Sequence, residues 1–208
     1  MVAPPTAPSD PERLMTDTLP DSHPLRNFFR DSLEKAFREC KDLYSPAVAC
    51  HLSDDVLCDF IHVDRIYRLK STEGVRLEEL PEMLEVSVAP EGPERRMEVD
   101  TYIGDFTLFM GGFFPTSVGR NRWFTPQPMV SRVGKVFVRF EHPLEYYAAE
   151  GRNAYGRAAE TARIFAPDAR ETYTLLAQRF DEYQDLLRRV KDLISDDPEF
   201  RQAEDSLD

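Results

Sequence analysis

The sequence predicts an all-α fold, a bundle of about five or six helices over residues 24–195, with a disordered arm at 1–23 and an acidic tail at 196–208. Three observations lead there. Apolar residues recur every three or four positions through most of the chain between Pro24 and Ser195, the period of a helix with one buried face. Strict apolar and polar alternation, the mark of a half-buried strand, is confined to one short run near Val136. A length of 208 residues, 41% of them hydrophobic, suits a single core.

Residues 1–23 hold five prolines and too few apolar groups to offset the entropy of ordering them, hence the arm. Pro24 suits the first turn of a helix, where its missing N–H costs nothing, and Leu25, Phe29, Leu33, Ala36, Cys40 and Leu43 then mark one face to about residue 44. A second helical pattern covers about 46–70, with Leu52, Val56, Phe60, Val63 and Tyr67 on one side. A third spans about 77–88, started or kinked by Pro81. Pro90, Gly92 and Pro93 punctuate a turn.

From Glu94 to Phe114 the apolar residues occupy nearly the whole circumference, as in a helix buried at the centre of a bundle and ended by Pro115. Gly104, Gly111 and Gly112 each cost about 1 kcal/mol of helix propensity, so close approach by a neighbour is expected there. The neighbour proposed is the helix from Leu144 to Phe165, rich in Ala and Gly and interrupted by Tyr146, Tyr147 and Tyr155. Asp168 and Glu171 have capping-box spacing for a last helix. Along it Tyr173, Leu176, Phe180, Tyr183, Leu187, Val190 and Ile194 form a heptad seam, to close on the domain itself or on a second copy of the chain. The stretch 128–141 alternates like a strand but shows no second strand-like run to pair with, so it reads as helix or irregular loop.

Charge is segregated. The chain carries 38 acidic against 26 basic residues, a formal net charge of −12, and the two ends hold most of the excess. From Phe106 to Phe140 there is no Asp or Glu, whereas Arg120, Arg122, Arg132, Lys135 and Arg139 fall there among eight aromatic residues. The overall acidity argues against a free-standing nucleic-acid binder, which needs a basic footprint to displace counterions. No window approaches the roughly 20 apolar residues of a membrane span, and no secretory signal core opens the chain, so a cytoplasmic location is expected. Cys40, Cys50 and Cys58 match no disulfide or zinc spacing; reduced thiols packed on or beside apolar faces are expected.

Reactive constellations are sparse. Asp59-x-x-His62 and His142-x-x-Glu145 resemble metal-ligand spacing only faintly, and Pro143 makes a helical setting for His142 doubtful. No nucleophile elbow, phosphate-cradling glycine loop or cofactor motif is present, and no metal or cofactor is expected. Asp105 stands out, because a carboxylate flanked by Gly104 and Phe106 in a buried helix needs a cation or several donors. Its candidate partners are Arg152, Arg157, Tyr146 and Tyr155, either as a structural tie or as part of a ligand site. In Gly119–Phe124, Arg120 and Arg122 flank the single Trp123, a combination that anchors interfaces or grips carboxylates and phosphates, or else a loop that packs Trp123 on the domain.

Two functional expectations follow. One is a non-catalytic cytoplasmic interaction protein, self-associating or bound to an acidic protein partner or anion through Arg120, Arg122 and Trp123. The other is a helical enzyme or small-ligand binder with a pocket between the central helix and the Ala- and Gly-rich helix, where Asp105, Tyr146 and Tyr155 supply polar groups. Neither expectation involves nucleic acid.

Overall fold

A computed structural model describes residues 24–60, 66–71, 73–88, 92–120, 129–133, 136–140 and 142–197. The expected arm at 1–23, and the tail beyond Asp197, lie outside them. The protein is an all-α helical bundle. Its elements are α1 (Pro24–Glu39), α2 (Pro46–His51), a π-helical turn (Leu52–Leu57) running into α3 (Cys58–Phe60), α4 (Leu80–Val88), α5 (Pro93–Phe113), α6 (Pro115–Gly119), strands β1 (Met129–Val133) and β2 (Val136–Phe140), α7 (Pro143–Phe165), α8 (Pro167–Gln178) and α9 (Phe180–Ser195).

Prolines set many of the starts. Pro46, Pro93, Pro115, Pro143 and Pro167 each occupy the first turn of a helix, where a missing N–H is tolerated. Gly92, at φ 94°, provides the left-handed turn into α5. Pro115 therefore does more than end the central helix: after Phe114 leaves helical geometry, it opens α6.

Three expectations are corrected. The second helix is not continuous from 46 to 70: the backbone widens into a π turn after His51, and Lys70 makes an antiparallel bridge with Arg76. The described residues of the stretch 128–141 form two strands, not helix or irregular loop. Met129–Val133 is the missing partner strand, paired antiparallel with Val136–Phe140 from Met129↔Phe140 to Val133↔Val136. The seam helix breaks at Arg179 (φ −118°, ψ 31°), because its two halves serve different neighbours. α8 lies against α7 and α2, whereas α9 lies against α5 and α1. The seam itself closes inside the chain, with Leu176, Phe180, Tyr183, Leu187, Val190 and Ile194 all buried.

Central helix α5 is buried along most of its length and packs most extensively on α7. At Gly104 a Cβ would lie 2.7 Å from the Tyr155 ring; at Gly151 of α7 it would lie 2.4 Å from Phe180 and from the Thr107 hydroxyl. Gly111 and Gly112 instead make room for α9, where a Cβ would strike Gln184 and Leu187. The glycines thus seat two neighbours, where the sequence suggested one.

Gly104 and Gly156 provide a matched test. Gly104→Ala should lower stability by about 1–3 kcal/mol, since Tyr155 is fully enclosed and cannot yield. Gly156→Ala, with nothing within 4 Å of its Cβ, should raise it by up to about 1 kcal/mol through helix propensity. Urea denaturation of the two variants measures both.

Candidate functional site

The polar centre of the bundle forms where α2, α5 and α7 meet. Because Gly104 has no side chain, the Tyr155 ring lies flat against α5, and its hydroxyl donates to Asp105 Oδ1 at 2.7 Å. The same oxygen meets His51 Nε2 at 2.7 Å. The other ring nitrogen of His51, Nδ1, lies 2.9 Å from Asp55 Oδ2, one turn further along its own segment. Tyr173 of α8 stacks on Tyr155 with ring centroids 6.3 Å apart and meets the His51 ring edge-on. Asp105, Tyr155 and His51 are all buried; only Asp55 at the outer end of the chain of contacts is exposed.

The electrostatics follow from this geometry. Burial on its own depresses the His51 pKa, yet the charge and hydrogen bonds of Asp105 and Asp55 outweigh it and hold the ring protonated, to about 10. With a carboxylate at each nitrogen, both positions donate, as an imidazolium requires. Burial, reinforced by the Asp105 charge, pushes the Tyr155 hydroxyl well above its ordinary value, so it stays a donor. This arrangement can hold charge in place. Its three buried members are tied to one another through a single carboxylate oxygen.

A second ion pair lies further along the same helix interface. Arg157 Nε donates to Asp100 Oδ1 at 2.8 Å, with Nη2 2.7 Å from the same oxygen, while Asp100 itself is fully buried. Burial raises the Asp100 pKa, opposed by Arg157 and more weakly by Arg96. Of the partners expected for Asp105, then, Tyr155 is present, Arg157 serves Asp100, and Arg152 pairs with Asp181 at 2.6 Å. Tyr146 is buried nine residues before Tyr155, roughly 13 Å away along the helix axis, and does not share its site. Burial lifts its hydroxyl pKa too, with Glu150 adding to the effect.

Tyr155 and His51 both lie within hydrogen-bond distance of Asp105, and all three are buried. Arg120 is exposed at the end of α6, with its N–H bonded to Thr116 O. Arg122 and Trp123 lie outside the described residues. Asp59 pairs with Arg68 at 3.0 Å, His62 is outside the described residues, and His142 is the extended, exposed residue preceding α7. Among the described residues no group of three or more His, Cys, Asp and Glu is arranged to hold a metal. All three thiols are free; Cys58 is buried, with burial raising its pKa to about 11, but Cys50 is exposed, not packed on an apolar face.

The sequence reading passed over His51. A signal was available, since His51 falls in the stripe of Val48, Leu52 and Val56, where an ionisable residue needs a buried partner, and it stands four residues before Asp55. The fold and this centre define the protein as an all-α bundle tied by a buried His–Asp–Tyr link. No protein-family model, curated protein sequence or solved structure matches the chain.

Two stability measurements check the charge state of this link. A histidine whose folded pKa is raised from 6.5 to about 10 contributes stability that is complete below the unfolded value and is lost as pH climbs through that interval. The groups facing it are Asp55, Asp105, Tyr155 and Tyr173. The urea midpoint should therefore fall between about pH 6.5 and 8.5, below the range where most thiols and phenols of an unfolded chain ionise, and His51→Gln should flatten that slope. Asp105→Asn should cost about 3–5 kcal/mol at neutral pH by stranding the buried cation. A wild-type profile as flat as that of the variant would refute the assignment.

Proposed function

We propose that the chain is a non-catalytic interaction protein that docks an acidic segment of a partner protein through the basic, aromatic stretch between α6 and α7. The supporting observation is the segregation of charge along the chain. The ionic groups at the centre of the helices bind one another, while Phe106–Phe140 carries five basic residues and no acid. The register of β1 and β2 pairs Val130 with Arg139 and Arg132 with Phe137. Guanidinium groups beside aromatic rings suit carboxylate-rich segments, because Arg binds a carboxylate through two parallel hydrogen bonds and a ring supplies apolar contact.

The heptad seam is buried within the chain, which favours the basic stretch over a helix zipper as the docking surface. Three unpaired thiols accord with a reducing compartment, and the reading places the protein in the cytoplasm.

Trp123 is the only Trp in the chain and sits beside Arg122, so its fluorescence reports on this stretch without a label. Titration with a Glu-rich peptide at low salt should change the emission saturably, whereas a Lys-rich peptide of equal length should not. Arg120→Ala combined with Arg122→Ala should weaken the binding by about 10-fold or more without changing the thermal melt. Equal affinity in the double variant would reject the proposal.

A further inference from the structure

A second basic surface lies elsewhere, on the outer side of the contact between α5 and α7, and it forms a shallow, open depression. A cleft of about 420 Å³ runs between the first turns of α5 and the middle of α7. Arg96 enters from α5; Arg152 and Arg157 enter from α7, with Asn153 and Thr161 between and beyond them. Gly156 is also part of the lining, and a Cβ built there meets nothing within 4 Å, so the cleft is open where a side chain would otherwise project. Glu160 is the one carboxylate among the lining residues.

The three guanidinium groups are unequally committed. Arg157 directs Nε and Nη2 to a single oxygen of buried Asp100, leaving Nη1 over. Arg152 spends Nη1 on Asp181. Arg96 has no hydrogen-bonded carboxylate among the described residues. Five donors per guanidinium leave most of the hydrogen-bonding capacity of the cleft unspent, and the pair with buried Asp100 holds the Arg157 fork in place. Fixed forks lose little entropy on binding, which is what a compact anion with several oxygens requires.

We infer that this cleft is a binding site for a compact phosphoryl anion, such as the phosphate group of a small phosphorylated molecule, gripped by Arg96, Arg152 and Arg157 over Gly156. The site is separate from the basic stretch between α6 and α7 and does not depend on the docking role proposed for it. Phosphate fits better than a single carboxylate because three guanidinium groups line the cleft and a tetrahedral anion offers an oxygen to each.

Inorganic pyrophosphate is the probe, titrated into the full chain by calorimetry at low ionic strength, with malonate as the dicarboxylate comparison. Pyrophosphate should bind saturably with one site and raise the melting temperature, and malonate should bind at least about 10-fold more weakly. Gly156→Leu fills the cleft at a position with open space and should abolish binding while the variant melts at or above the wild-type temperature. Arg96→Gln should weaken binding by about 10-fold or more. Arg163→Gln, exposed on the same helix and outside the cleft, should bind as wild type. The inference is overturned if pyrophosphate does not bind at millimolar concentration, if malonate binds as tightly, or if Gly156→Leu and Arg96→Gln bind as wild type. Loss of binding in the Arg120→Ala, Arg122→Ala variant, with Gly156→Leu unaffected, would overturn it too by assigning the anion to the other basic surface.

Discussion

One oxygen atom, Asp105 Oδ1, organises the bundle. It accepts the Tyr155 hydroxyl from α7 and faces the imidazolium of His51 at the end of α2, so a single carboxylate on the central helix fixes two neighbours. An ionised carboxylate taken out of water costs several kcal/mol unless both a countercharge and donors are supplied, and here both arrive at short distance. The arrangement depends in turn on Gly104. With any side chain there, the Tyr155 ring could not lie against the helix and its hydroxyl could not reach the next residue along. A residue that weakens the helix is therefore the condition for the contact that binds the helix to its neighbours.

The same logic extends along α5. Gly111 and Gly112 admit α9, and Gly151 on α7 admits Phe180 at the point where the chain turns from α8 into α9. Phe180 fills the space over Gly151, so the break at Arg179 coincides with the place where one neighbour is exchanged for another. Outside, Arg179 holds the corner by binding both Asp42 and Glu182. At that exposed position the pairs direct the chain more than they stabilise it.

How much of this could be read from the residues divides by the range of the interaction. The buried central helix, its glycine contact with α7, the seam of the last helices and the Asp105–Tyr155 pair were legible, because each leaves a local mark: an all-round apolar helix, a costly glycine, a heptad, a charge where none is cheap. His51 was not read, although its place in an apolar stripe was visible, since its partner lies 54 residues away and spacing alone does not name it. The hairpin was missed for a different reason. Met129–Val133 alternates less cleanly than Val136–Phe140, and the Gly134-Lys135 order between them, which favours a tight connection between strands, was not used as a signal. The widening of the backbone after His51 left no local mark at all, being a consequence of fitting that segment to α1 and α5.

The hairpin also constrains what the basic stretch can be. Two strands alone are marginal in water at best, so this pair must draw stability from something beyond its own ladder. Within the chain it lies against α7. The five basic residues of Phe106–Phe140 do not interleave with acids along the chain. They cluster instead in a stretch without a single carboxylate, while the buried acids Asp100 and Asp105 are met by Arg157 and His51 from elsewhere. The buried acids Asp100 and Asp105 thus find their countercharges within the helices themselves.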